Sequence, residues 1–239
     1  MILSFNIEYR TNWGEEVKLA GLSTESTPMY TTDGIYWTAE VELEVPQEGL
    51  TIHYSYQIEQ NGIVIRKEWN NFPRCLFLSG TPRKKYRIND CWKNIPEQLY
   101  LYSSAFTEAL LSHPERVDIP QGYKKGLIIK AYAPRINKDY CLAICGNQKA
   151  LGNWDPEKAV LMSDSNFPEW QVELDASKLK YPLEYKFILC HKQERKIDCW
   201  EKNPNRYLAD PEIKTNETLV ISDRYVYFDI PIWKGAGIA

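Results

Sequence analysis

Two stretches decide the fold when set side by side. One is His53-Tyr54-Ser55-Tyr56, followed by Trp69-Asn70-Asn71-Phe72-Pro73-Arg74; the other is Glu184-Tyr185-Lys186-Phe187, followed by Trp200-Glu201-Lys202-Asn203-Pro204-Asn205-Arg206. In each, the tryptophan stands 16 positions after the first residue, and a polar loop with Pro and Arg follows it. Upstream, Trp37-Thr38-Ala39-Glu40-Val41-Glu42-Leu43 matches Trp170-Gln171-Val172-Glu173-Leu174. Equal spacing over such a span marks a duplicated structural unit. The matched runs alternate apolar and polar residues, the period of a half-buried strand, and Asn61-Gly62 between two such runs is a strong short hairpin signal.

Working outward, 239 residues with 8 Trp, 16 Tyr and 7 Phe suit two small strand-rich domains. The expected fold is all-β, with two tandem immunoglobulin-like β-sandwiches joined by a linker with a short helix. Residues 1–95 form the first sandwich, 96–123 the linker, 124–232 the second sandwich, and 233–239 the start of a truncated further domain. The helix is placed on Ser103-Ser104-Ala105-Phe106-Thr107-Glu108-Ala109-Leu110-Leu111, ending near His113-Pro114. From Gly21 to Trp37 is 16 positions and from Gly146 to Trp170 is 24, so the first copy lacks about eight residues, among them the counterpart of Leu151-Gly152-Asn153-Trp154-Asp155.

The balance of 29 basic against 32 acidic residues excludes the electrostatic footprint of a nucleic-acid or anionic-membrane binder. No run approaches the ~18 apolar residues of a membrane span, and the N-terminus lacks the basic and apolar regions of a signal peptide. A cytoplasmic location with reduced thiols is therefore expected for the six cysteines. Cys141 and Cys145 share one strand face; small core residues are the preferred reading over a metal pair. No metal site and no cofactor are expected. No Gly-x-Ser-x-Gly, His-Glu-x-x-His or phosphate-cradling glycine loop is present, and no catalytic residue is assigned.

Gly146-Asn147, Leu151-Gly152-Asn153-Trp154-Asp155, Ala159-Val160-Leu161, Trp170, Glu184-Tyr185-Lys186-Phe187-Ile188 and Trp200-Glu201 with Pro204-Asn205-Arg206 together resemble the family-20 carbohydrate-binding module, the starch-binding domain. The first copy is similar but degenerate. The resemblance implies that Trp154 and Trp200 converge on adjacent glucose units of an α-1,4-glucan, with Lys186 donating to hydroxyls, Glu201 accepting and Asn205 doing both. A flat indole suits the C–H face of a glucose ring, and fixed donors and acceptors suit its hydroxyl fringe. Lys186 as a solvated lysine, and Glu201 and Asn205 as loop-shaping residues, are the alternatives. The resemblance also implies a second, weak site, for which Asp164 and Phe167 are the candidates. In the first copy Trp69 and Asn71 remain, Ser55 replaces the lysine, and Trp13 with Tyr30 or Tyr36 offers another face. Trp37 and Trp170 are expected in the core.

The closing Trp233-Lys234-Gly235-Ala236-Gly237-Ile238-Ala239 is similar to the opening of the barrel in the 4-alpha-glucanotransferases of glycoside hydrolase family 77. That resemblance implies a C-terminal catalytic domain in the parent chain, with these domains docking starch, glycogen or malto-oligosaccharide. Two other readings stay open: a non-catalytic protein-interaction or spacer module, and a self-contained glycosidase.

Overall fold

The computed structural model describes residues 1–69, 73–81, 84–94, 122–133, 136, 139–194, 196–223, 226 and 228. The expected helix at 103–111, the closing stretch 233–239 and Asn71 lie outside the described residues. The chain divides into two compact units. The first gathers described residues from Met1–Glu97, Ile119–Ile128 and Ile213–Asp223; the second is built chiefly on Ile129–Glu212.

The first unit holds β1 (Ile2–Glu8), β2 (Glu15–Ala20), β3 (Thr27–Pro28), β4 (Tyr36–Glu42), β5 (Leu50–Gln60), β6 (Ile63–Lys67), β7 (Arg74–Leu78) and β8 (Lys85–Cys91). Strand β1 runs antiparallel to β4, with Ile7 opposite Trp37, and parallel to β8, with Phe5 opposite Ile88. A strand from far down the chain, β17 (Glu217–Ser222), adds parallel to β8 and sets Val220 opposite Ile88. The other sheet runs β3-β2-β5-β6, with β7 on the first half of β5. Inward residues of both sheets meet in one core that includes Phe5, Trp37, Tyr56, Ile88 and Val220. The β5–β6 connection is the expected hairpin: Asn61 and Gly62 take φ of 52° and 76°, the left-handed pair that a two-residue turn requires.

Charge also lies inside this unit. Arg74, 2% exposed, donates to Glu68 at 2.7 and 3.2 Å, to Asp90 at 3.0 Å and to the Cys91 carbonyl at 2.6 Å. Asp90 also accepts from the hydroxyls of Tyr54, Tyr56 and Ser222. Burial, and then the Asp90 charge, push the Tyr56 phenol well above its ordinary range, so it stays a donor.

The second unit contains β10 (Tyr140–Gly146), β11 (Val160–Leu161), β12 (Ser163–Asn166), β13 (Glu169–Asp175), β14 (Leu183–His191), β15 (Ile197–Trp200) and β16 (Arg206–Leu208), with the C-terminal part of β9 (Lys125–Tyr132). One sheet runs β11-β10-β14-β15, and β16 pairs with the start of β14. Inside, Lys130 and Glu169 form a buried ion pair at 2.8 Å. The all-β class is as expected. Trp37 and Trp170 are both buried, and each indole N–H donates to a backbone carbonyl at 3.2 Å, of Tyr9 and Ala133 respectively. The same residue thus takes the same role in each unit.

All six cysteines are thiols. Cys141 opposes Cys190 across β10 and β14, and Cys145 opposes Lys186. The neighbouring Cys141 thiol, together with burial, pushes the Cys190 thiol far above its ordinary range, which makes it inert packing. Among the described residues no group of three or more His, Cys, Asp or Glu is placed to hold a metal ion.

Candidate glucan-binding site

The site is built on β14 and the two loops beside it. After β10, the chain makes a short 3-10 turn over Lys149–Trp154, anchored by the fully buried Leu151. Three successive residues then take left-handed backbone: Gly152 at φ 83°, Asn153 at 53° and Trp154 at 62°. Gly152 is required there, since a β-carbon would lie 2.9 Å from the Lys158 carbonyl oxygen. Asp155 closes the turn by donating its N–H to the Gly152 carbonyl at 3.0 Å, and its carboxylate caps the next turn by accepting from the Glu157 N–H at 3.2 Å. This unusual run leaves the Trp154 indole half-buried, with its ring centre 6.2 Å from that of Trp200 and the planes 45° apart. Two tilted indoles that close form a curved apolar cradle.

Gly146 permits the turn to fold back. A β-carbon at 146 would sit 2.4 Å from the Glu184 carbonyl oxygen and 2.8 Å from Leu151 Cδ1. Gly146→Ala is therefore expected to destabilise the second unit by about 1–3 kcal/mol, because two strands and the anchor must separate. Thermal unfolding followed by tryptophan fluorescence checks this, and an unchanged midpoint would contradict it.

Lys186, half-buried on β14, donates through Nζ to the Glu201 carbonyl at 3.3 Å and so stands next to Trp200. Asn205 is exposed in the loop before β16. Glu201 lies differently from the expected role of hydroxyl acceptor: it is 2% exposed. Its carboxylate accepts from the Phe187 N–H at 2.8 Å and from Arg206 at 2.9 and 3.2 Å. A carboxylate buried against a guanidinium and a backbone donor is committed to them. This places Glu201 as the residue that fastens the loop of Trp200 and Asn205 to β14. Arg206, which carried no assigned role in the sequence, completes the fastening and lies 4.8 Å above the Phe187 ring.

The same latch recurs in the first unit and revises the match between the copies. Glu68 accepts from the Tyr56 N–H at 3.1 Å and from Arg74, whose guanidinium lies 5.5 Å above the Tyr56 ring. The backbone N–H groups of Glu68 and Glu201 donate to the Tyr56 and Phe187 carbonyls, each at 3.0 Å. Glu68 thus corresponds to Glu201, so Lys67 corresponds to Trp200. Strand pairing agrees, with Lys67 opposite Gln57 where Trp200 is opposite Ile188. Trp69 is two positions out of register with Trp200 and is buried at 9% exposure. Ser55 does stand where Lys186 does, opposite Ala20 as Lys186 is opposite Cys145. The first unit keeps the latch and has neither indole of the cradle at its counterpart.

Asp164 and Phe167 share one turn, the Phe167 N–H donating to the Asp164 carbonyl at 3.0 Å. The Asp164 carboxylate accepts from Lys192 at 2.7 Å, and the Phe167 ring packs edge-on against buried Trp170 at 6.3 Å. Trp13, Tyr30 and Tyr36 are exposed on the first unit. No helix among the described residues is long and apolar enough to cross a membrane.

Comparison with known proteins bears on this cradle. Residues 129–220 match the family of the starch binding domain. The 4-alpha-glucanotransferase DPE2 of Oryza sativa subsp. japonica is 22% identical over 263 aligned positions, covering 99% of this chain and 27% of that protein. The chain thus spans about a quarter of the length of that curated relative. Among solved structures, the family 15 glucoamylase of Hypocrea jecorina is 23% identical, with a TM-score of 0.36 over 47% of this chain and 19% of the other. The family 20 module of the maltotetraose-forming amylase of Pseudomonas saccharophila STB07 is 17% identical, with a TM-score of 0.33 over 41% of this chain and 99% of that one. Residues 129–220 are therefore similar to a starch binding domain, within a chain that resembles part of a 4-alpha-glucanotransferase.

Proposed function

We propose that the second unit binds α-1,4-glucan, as starch, glycogen or malto-oligosaccharide, on Trp154 and Trp200, with Lys186 and Asn205 as hydroxyl partners. The tilted indole pair at 6.2 Å carries this reading. Stacking that removes ~100 Å² of apolar surface from water contributes about 2–3 kcal/mol before the costs of association. Such an open site supports micromolar to millimolar affinity. Glu201 acts here by holding the loop.

In the parent protein the module docks polysaccharide for an attached 4-alpha-glucanotransferase in the cytoplasm, and the chain described contributes binding without catalysis. The first unit serves as a spacer or interaction module, a role favoured by Lys67 and Ser55 in place of the tryptophan and lysine. Titration of the full chain with β-cyclodextrin or maltoheptaose, followed by tryptophan fluorescence, tests the proposal. A saturable change with the α-glucans and none with cellohexaose is expected. No change with any of them would overturn it.

A further inference from the structure

One exposed aromatic shares the face of the cradle without belonging to it: Tyr207, 65% exposed. Strand β16 pairs with the start of β14, Tyr207 opposite Glu184 and Arg206 opposite Tyr185, while β15 pairs with its end, Trp200 opposite Ile188. Directly opposed residues on neighbouring strands point to the same side of a sheet, and residues two apart on a strand share a face. Glu184, Lys186 and Ile188 therefore stand on one face, and Tyr207 and Trp200 stand with them. At the start of β14 burial agrees: Tyr185 and Phe187 are buried, Glu184 and Lys186 are half-buried, and Arg206 turns inward over the Phe187 ring, while Ile188 is itself covered.

The Tyr207 row and the Trp200 row lie four positions apart on β14, about 13 Å at strand rise, with Lys186 midway. The strand that carries the phenol is also held in place. Its neighbour Arg206 is locked to Glu201 by two bonds, so the backbone of β16 is fixed where Tyr207 leaves it. An outward ring on a fixed strand loses little freedom on binding. Half-buried Glu184 beside it carries carboxylate oxygens that accept from hydroxyls.

We propose that Tyr207 is an additional stacking platform for the same glucan, taking a glucosyl ring further along a chain that lies on Trp154 and Trp200 and runs past Lys186 toward β16. The inference rests on the glucan-binding reading above and adds a dependence on chain length. A disaccharide seated on the indole pair does not reach Tyr207, whereas a seven-unit chain does.

Calorimetric titration of the full chain with maltose and with maltoheptaose tests it, using the wild type, Tyr207→Ala and Tyr207→Phe. Tyr207→Ala is expected to weaken maltoheptaose binding about fivefold and to leave maltose binding and the melting midpoint unchanged. Tyr207→Phe is expected to keep the wild-type affinity for both. Unchanged maltoheptaose affinity in Tyr207→Ala overturns the inference, as does an equal loss on both saccharides. A wild type that binds with Tyr207→Ala silent fails this inference alone; a wild type that binds neither saccharide fails the glucan reading and this inference with it.

Discussion

Trp200→Ala is expected to weaken maltoheptaose binding by roughly thirtyfold, about 2 kcal/mol of lost stacking. The ring is half-buried and stands opposite the buried Ile188, so its removal opens the cradle and uncovers Ile188, a cost that the melting curves read separately. Trp154→Ala is expected to behave alike, since its indole forms the other wall at 6.2 Å. The double variant should lose less than the sum of the two, because both rings contact one ligand and share an edge of the site. Titration at several ligand concentrations, with melting curves as a control on folding, measures all three. Wild-type affinity in both single variants would remove the site from the second unit.

The larger effect on folding falls in the first unit, at Arg74. Arg74→Met leaves Glu68 and Asp90 as two buried carboxylates facing an apolar side chain, at a cost of about 3–5 kcal/mol. For a domain whose whole stability is of order 5–15 kcal/mol, that corresponds to a fall in unfolding midpoint of roughly 15–30 °C. Burial works against the guanidinium charge, but Asp90 and Glu68 outweigh it and hold Arg74 protonated throughout the working range of pH. The loss is therefore expected to be of the partner and not of a titrating group. Combining Arg74→Met with Glu68→Gln and Asp90→Asn should recover part of the stability, since the stranded charges are then gone. Calorimetric unfolding of the wild type, Arg74→Met and the triple variant decides it. A midpoint in Arg74→Met within a few degrees of the wild type would show that the network is energetically idle.

Much of the architecture was legible in the residues. Alternating runs, the Asn61-Gly62 turn and the paired Trp37 and Trp170 follow from local periodicity and turn chemistry, and these survive in three dimensions because strand period and burial obey the same two-residue rule. Trp154 was legible for a related reason: a Gly-Asn pair suits left-handed backbone, and the turn it makes is a poor place to bury the indole that follows. Glu201 and Tyr207 were not. A glutamate after a tryptophan reads as a surface acceptor until its partners, the Phe187 N–H and the Arg206 guanidinium, are seen to enclose it. Tyr207 gains meaning only from its pairing with Glu184 on β14.

The sequence by itself determined that this chain is made of strands, and its spacings pointed to a repeat in which one copy carries a tryptophan turn the other lacks. Only the tertiary structure decided which residues of the two copies are equivalent. Trp69 and Trp200 share a spacing of 16 positions in the sequence, yet the Glu68 and Glu201 latches align Lys67 with Trp200 and leave Trp69 buried. Spacing along the chain counts residues, including those that a loop absorbs. Cross-strand hydrogen bonds count pairs, and the pairing register determines which face a side chain enters.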